Sequence, residues 1–175
     1  CFDLPPGSRC ALNLSGVSHD ELVRGDILVR NGQWHETTIF DASLRVLKQL
    51  DHSVSRKGAY VLYLGSGEHS VRMRVLGSNE LIPGSDGTVR FYASTGLPLL
   101  PGDRFILRES GRSETIGGGE VLDVDPQLTA SEAEPDLSVE RVIKERGWVE
   151  ATELERLTGK KLPSDVGKWV VEPSV

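Results

Sequence analysis

The feature that most constrains this chain is a series of short strand-like runs extending from Arg9 to about Asp125. Each run is rich in β-branched and apolar residues and is followed by glycine, proline, asparagine or aspartate, a spacing typical of antiparallel barrels and sandwiches. The predicted strands cover residues 9–14, 26–30, 37–46, 60–64, 69–76, 88–93, 104–108 and 120–124. We therefore predict a mainly β fold with one closed antiparallel barrel over residues 25–126. Alternation places Ile27, Leu62, Val75, Val89, Phe105 and Leu107 in its core.

Glycine-containing turns support this prediction. Asn31-Gly32 is the sharpest hairpin signal, because both residues tolerate the positive φ of a type I′ turn. The run from Gly117 to Gly119 precedes no predicted helix, so it lacks the helix N-terminus that makes a glycine loop attract phosphate. We interpret this run as a bend in the barrel at which another backbone segment comes close.

The last part of the chain has a different pattern. Residues 126–135 are polar and bounded by prolines, which predicts a mobile linker. Apolar residues then recur at helical spacing after Ser138, and a second helix is predicted to end at Gly159. Short strands are predicted at 148–149 and 169–171. This order of helix, strand, helix and strand favours a partial winged helix.

These patterns divide the chain into four parts. A helical turn near the start is indicated by Ser18 and Glu21, which have the spacing of a capping box, and by Gly25, which ends the turn. The predicted parts are a connector over residues 1–24, the barrel over 25–126, a linker over 127–136 and a small α/β unit over 137–175.

Composition excludes several classes of protein. The 175 residues carry a net charge of -6, which argues against a nonspecific nucleic-acid binder but leaves room for a local basic face. No apolar run approaches the length of a membrane span and no signal peptide is recognisable, so we expect a cytoplasmic chain without a membrane partner. Cys1 and Cys10 form no metal or disulfide pattern and are expected to be reduced.

The common catalytic motifs are missing from the sequence. No P-loop spacing is present, so we expect that this chain does not itself hydrolyse a nucleotide. The histidines show no metal-ligand spacing, and no serine lies in a nucleophile elbow. One catalytic alternative remains open, a small hydrolase built on His35, Glu36, Glu68 and His69, which requires those side chains to meet in one cleft.

The arginines are more informative. Arg72 and Arg74 alternate with apolar residues, so one face of their strand is basic and the other apolar, which also fits an ordinary solvated barrel face. The turn from Glu109 through Ser110 and Gly111 to Arg112 combines backbone N–H groups with a guanidinium. Such a turn suits contacts with phosphates and 2′-hydroxyls of A-form RNA.

Two pairs of segments resemble a known family. Residues 6–17 read Pro-Gly-Ser-Arg-Cys-Ala-Leu-Asn-Leu-Ser-Gly-Val, and residues 21–28 read Glu-Leu-Val-Arg-Gly-Asp-Ile-Leu. They resemble the passage from the second to the third barrel of elongation factor Tu-like translation factors. Residues 102–109 read Gly-Asp-Arg-Phe-Ile-Leu-Arg-Glu, and residues 112–119 read Arg-Ser-Glu-Thr-Ile-Gly-Gly-Gly. They resemble the last hairpin of the third barrel, and the combination is most similar to the bacterial selenocysteine-specific elongation factors.

This resemblance implies a place for the chain in a longer factor. Residues 1–24 then include the end of the second barrel, residues 25–126 form the third, and residues 137–175 begin the winged-helix region. The implied partners of the factor are selenocysteyl-tRNA, the ribosome, its own GTPase domain and, through further winged helices, the selenocysteine insertion hairpin of the messenger. GTP and magnesium are the implied cofactors of the GTPase domain, with none in this chain.

The resemblance also implies roles for particular residues. Arg9 matches an arginine beside the aminoacyl pocket, where a guanidinium would favour an ionised selenolate over neutral groups. Glu109, Ser110, Gly111 and Arg112 match the loop that touches the T stem of the tRNA. The neighbouring Arg104 and Arg108 are expected to add to this tRNA contact.

A different class of function stays open beside this one. The barrel of another translational GTPase could serve only for protein contact, for instance with its own GTPase domain. Such a barrel needs the same strands but no exposed basic turn, and it would not bind RNA.

Overall fold

Six strands close into a barrel in the computed structural model, which describes residues 3–5, 7–30, 36–163 and 166–171. The strands of this part are β1 Glu36–Val46, β2 Val54–Ser55, β3 Tyr60–Leu64, β4 Gly67–Val75, β5 Glu80–Leu81, β6 Asp86–Pro98, β7 Arg104–Glu109 and β8 Glu114–Asp123. The barrel order is β1-β6-β4-β3-β7-β8, and β1 closes it by pairing with β8. Every neighbouring pair in the barrel is antiparallel. The prediction of a mainly β fold with a closed antiparallel barrel is confirmed.

Strict alternation builds the barrel core. In β3, every second side chain from Tyr60 to Leu64 is buried, because one face of each strand points inward. Five of the six predicted core residues are buried, namely Leu62, Val75, Val89, Phe105 and Leu107. Phe91 fills the centre, with its ring centroid 5.2 Å from that of Phe40 and 5.4 Å from that of Phe105.

The sixth predicted core residue, Ile27, is 42% exposed, so this prediction is wrong. Residues 26–30 and 9–14 form no strand, and the barrel begins only at Glu36. The physical reason is closure: once β1 pairs with both β6 and β8, the barrel has no free edge to accept another strand. The predicted Asn31-Gly32 hairpin lies outside the described residues.

The early capped turn is present in a short form. A 3-10 helix covers His19–Glu21, and the Ser18 N–H donates to the Glu21 carboxylate at 3.3 Å. Gly25 follows at a φ of +108° and lies against the backbone of Gly67, where a Cβ would come within 3.0 Å of the Gly67 Cα. This segment therefore contacts the β3–β4 hairpin rather than extending a sheet.

The three consecutive glycines of β8 lie where strand backbones approach closely. A Cβ at Gly119 would lie 1.9 Å from the carbonyl oxygen of Ser43, and one at Gly117 would lie 2.1 Å from that of Arg45. The pairing of β7 with β8 also shifts register between Leu107 and Arg108. The predicted close approach at this bend is confirmed.

The C-terminal unit has the predicted order of elements. It contains α1 Val139–Arg146, β9 Trp148–Glu150, α2 Ala151–Thr158 and β10 Trp169–Val171, with β9 and β10 antiparallel. Ser138 caps α1 by accepting a hydrogen bond from the Arg141 N–H at 3.2 Å. Within the described ranges, no helix has the length and hydropathy to cross a bilayer.

The segment between barrel and C-terminal unit is held at several points, which differs from the mobile linker that its composition predicts. Arg90 donates to the carbonyl oxygen of Leu128 at 2.8 Å, and Ala130 is only 8% exposed. From α1, Arg141 donates to Asp123 and Arg146 donates to the carbonyl oxygen of Asp125, both at 2.8 Å. The segment is therefore anchored through the backbone carbonyl of Leu128 and through the residues that precede it.

Candidate nucleic-acid interface

The predicted contact loop is the hairpin between β7 and β8, whose tip consists of residues 110–113. The Ser113 N–H donates to the Ser110 carbonyl at 3.2 Å, and Ser113 takes a φ of +52°. The Ser110 N–H in turn donates to the carbonyl of Ala59 at 2.8 Å. The tip is thus tied to the turn that precedes β3.

Glu109 belongs to a cluster of alternating charges beneath the tip, which we call the Glu109 cluster: Asp51, His52, Glu109 and Arg112. One ring nitrogen of His52 lies 3.0 Å from Glu109, and the other lies 2.8 Å from Asp51. The Arg112 guanidinium lies 3.6 Å from each of the two carboxylates. Two carboxylate partners suit an imidazolium, since only the charged ring donates from both nitrogens.

The electrostatics of the cluster agree with this geometry. The hydrogen bond that the His52 ring donates to Asp51 is the largest influence on His52 and raises its pKa, and Glu109 acts in the same direction. The hydrogen bond with His52 in turn lowers the pKa of Asp51. His52 therefore joins the loop at residues 51–52 to the β7–β8 hairpin, and its raised pKa favours the charged form of the ring in this position.

The other two predicted arginines occupy different positions. Arg108 donates to the carbonyl of Ser113 at 2.8 Å, so its guanidinium supports the hairpin from within, although none of the described residues accepts a hydrogen bond from its buried Nε. Arg104 is exposed at the opposite end of β7. The rise of an extended strand places its Cα roughly 13 Å from that of Arg108. The structure brings Arg108, Glu109 and the tip together and leaves Arg104 apart.

The exposed part of the hairpin is small. Ser110 and Gly111 are exposed, and the Arg112 side chain is 53% exposed. Within residues 108–114, all of which are described, Arg112 is the one exposed cation. The tip can therefore offer one guanidinium and a hydroxyl to a phosphate.

The remaining predicted residues lie elsewhere. Arg9 is exposed in a segment without regular structure, and in the described part of the chain no recorded contact joins it to the hairpin. Arg72 and Arg74 lie on the outer face of β4, with Arg72 over the ring of Tyr92 at 5.8 Å.

The structure does not support the catalytic alternative, the small hydrolase, because its described residues lie on different strands. His35 lies outside the described residues. Glu36 opens β1, whereas Glu68 and His69 lie in β4, and burial lowers the pKa of His69. Among the residues that the structure describes, no group of three or more His, Cys, Asp or Glu side chains could hold a metal ion.

Sequence reasoning missed Asp51 and His52. They lie 57 residues or more before Glu109, and no local pattern connects the two regions. The one available signal is the adjacency of a carboxylate and an imidazole at Asp51-His52, just after β1.

Comparison with known proteins also assigns a β-barrel to this part of the chain. Residues 39–128, which include most of β1 and all of β2 to β8, match the family described as the beta-barrel domain of selenocysteine-specific elongation factor. The chain is also 26% identical over 116 residues to a selenocysteine-specific elongation factor of Desulfomicrobium baculatum. That alignment covers 66% of this chain and 18% of the relative, so the chain spans less than a fifth of the relative's length. Since the family match covers just over half of the chain, this protein belongs to the beta-barrel family of the selenocysteine-specific elongation factors.

Proposed function

We propose that this chain is the tRNA-binding barrel of a factor that delivers selenocysteyl-tRNA to the ribosome. The observation that carries the proposal is the exposed tip of the β7–β8 hairpin, with Arg112 beside Ser110 and Gly111, in a chain of this family. The guanidinium and the hydroxyl are suited to a backbone phosphate of the tRNA. Glu109 and Arg108 hold the tip from beneath and position it.

Arg9 has a separate role in this proposal. A guanidinium in the aminoacyl pocket would hold the selenolate of selenocysteine, which is ionised at neutral pH, and would not favour the neutral hydroxyl of serine. The resemblance of residues 6–17 to these factors supports this role, together with the exposed side chain of Arg9. GTP hydrolysis with magnesium, ribosome contact and recognition of the messenger hairpin belong to other parts of the longer factor.

The test removes the arginine of the hairpin tip. Arg112→Ala should lower the slope of log affinity against log salt by roughly 0.7 to 0.9, because one phosphate contact is lost. Lys144→Ala, which removes an exposed cation of α1 that has no part in the proposal, is the control and should leave the slope unchanged. Binding of the chain to selenocysteyl-tRNA and seryl-tRNA is measured between low and moderate salt.

The selectivity between selenocysteyl-tRNA and seryl-tRNA separates the role of Arg112 from that of Arg9. Arg112→Ala should weaken the binding of both charged tRNAs equally, since a contact with the RNA backbone carries no information about the amino acid. Arg9→Ala should reduce the preference for selenocysteyl-tRNA with the salt slope nearly unchanged. Failure of the unaltered chain to bind either tRNA would favour the alternative, a barrel used only for protein contact.

A further inference from the structure

A second basic surface lies close to the hairpin. A groove of about 800 Å³ is bounded by the turn after β2, the end of β4 and residues 130–131. We call it the basic groove, and it is lined by three cations, Arg56, Lys57 and Arg74, by the polar side chains of Ser78 and Asn79, and by one acid, Glu80. It therefore has an excess of positive charge in a chain whose net charge is -6.

Within the described residues, the cations of the basic groove have no ion-pair partner. Among the ion pairs formed by the described residues, none involves Arg56, Lys57 or Arg74. By contrast, Arg90, Arg141 and Arg146 each pair with an aspartate. Three neighbouring cations outnumber the single acid of the groove, Glu80, and create a positive potential that attracts an anion.

The walls of the basic groove are held in place by hydrogen bonds. The Tyr60 hydroxyl donates to the carbonyl of Ser55 at 2.7 Å, which holds the turn that carries Arg56 and Lys57. Opposite, the bond from Arg90 to the Leu128 carbonyl holds the segment that supplies residues 130–131. A site formed before binding loses less conformational entropy when the ligand arrives.

The lining indicates the kind of ligand. Pockets for small organic molecules are mostly apolar, whereas this groove offers guanidinium, ammonium, hydroxyl and amide donors. Arginine and lysine with such donors are the residues that bind phosphate oxygens. The chemistry therefore favours phosphate groups.

The position of the basic groove points to nucleic acid as the source of those phosphates. The turn at residues 55–59 forms one wall and, through the Ala59 carbonyl, accepts the hydrogen bond from Ser110 at the hairpin tip. The basic groove and the tip thus border the same turn. We propose that the basic groove binds backbone phosphates of the same RNA that the hairpin tip contacts, an inference that rests on the proposed function.

The test removes the two cations of the turn. The double variant Arg56→Ala with Lys57→Ala should lower the salt slope of tRNA binding by about 1.4 to 1.8, at 0.7 to 0.9 per lost phosphate contact. The matched control is Lys160→Ala with Lys161→Ala, another exposed adjacent pair, which should leave the slope unchanged. Amide NMR spectra of both variants verify that the barrel is folded.

A second readout compares inorganic phosphate with tRNA by NMR. Titration of the unaltered chain with inorganic phosphate should shift the amide signals of Arg56, Lys57 and Arg74, and tRNA should shift the same signals. If phosphate shifts them but tRNA does not, the groove takes free phosphate and the inference is wrong.

The inference and the proposed function fail in different ways. If tRNA binds and Arg112→Ala lowers the slope, but the double variant behaves like its lysine control, the inference alone is overturned. If the unaltered chain binds no tRNA, the proposed function is overturned together with the RNA assignment of the groove.

Discussion

Asp41 and Arg90 are direct cross-strand partners of β1 and β6 and form a buried two-point ion pair. The Arg90 Nε and Nη2 donate to the two oxygens of Asp41 at 2.6 and 2.8 Å, and the side chains are 7% and 1% exposed. The third nitrogen of Arg90 reaches the Leu128 carbonyl. One pair thus joins two barrel strands and the segment that follows β8.

Removal of one partner of this pair should destabilise the barrel strongly. Asp41→Asn leaves the Arg90 guanidinium buried without its counter-charge, which costs about 3–5 kcal/mol in comparable pairs. The free energy of unfolding, measured by urea denaturation, should fall by that amount.

The same two strands provide the control. Arg45 and Asp86 are also cross-strand partners of β1 and β6, but their side chains are 79% and 63% exposed. Asp86→Asn should lower the free energy of unfolding far less than Asp41→Asn does, because solvent screens an exposed pair. Equal losses in Asp41→Asn and Asp86→Asn would contradict the assignment of Asp41 as structural.

Gly119→Ala should destabilise the barrel by more than about 1–3 kcal/mol, the usual cost of overpacking. The added methyl group meets the Ser43 carbonyl, a backbone atom that cannot rotate away. Gly111→Ala is the matched control, since its Cβ meets nothing within 4 Å. Thermal unfolding should show a large drop in Tm for the first variant and little change for the second.

His52 should titrate above its ordinary pKa of about 6.5, and His69 below it. Since folding raises the pKa of His52, its contribution to stability is complete below about pH 6.5 and is lost as pH rises through the folded value. The hairpin should therefore be held less firmly in alkaline solution. Ring NMR signals measure both pKa values.

Two variants identify the cause of the His52 shift. Asp51→Asn should lower the pKa of His52 more than Glu109→Gln does, because the hydrogen bond that His52 donates to Asp51 is the largest influence on this pKa. A His52 that titrates at or below 6.5 in the unaltered chain would show that the Glu109 cluster does not form in solution.

Arg141→Ala should free the C-terminal unit from the barrel. The guanidinium donates to Asp123 at 2.8 Å and to the carbonyl of Asp136 at 3.2 Å, so its loss releases both ends of the connecting segment. Digestion between residues 126 and 135 by a protease of broad specificity should become several-fold faster. Lys144→Ala, an exposed residue of the same helix, is the control, and equal digestion rates would show that the segment is not anchored by Arg141.

Local patterns were sufficient for much of the barrel. Residues 60–64 alternate so regularly that β3 was predicted with its observed bounds. The glycines of β8 were interpretable for a similar reason, since a strand that contains three glycines in a row fits only where backbones approach closely. Helix caps such as Ser138 can likewise be predicted from the residues next to them.

The candidate interface was predictable only in part. A turn of Ser110, Gly111 and Arg112 is visible in the sequence because turn residues and charge lie side by side. The partners that hold it, Asp51 and His52, arrive from a loop 57 residues away or more. The basic groove likewise joins residues of β2, β4, β5 and the segment after β8.

The sequence by itself determined the strand periodicity, the turns and the order of elements, because these depend on residues a few positions apart. Only the tertiary structure decided that residues 26–30 lie outside the barrel, since closure of β1 on β8 removes the edge on which they would pair. It also decided that the polar segment after β8 is anchored, because Arg90 and Arg141 reach its carbonyl groups from distant elements. Closure and long-range hydrogen bonding depend on the whole chain at once, and no local pattern records them.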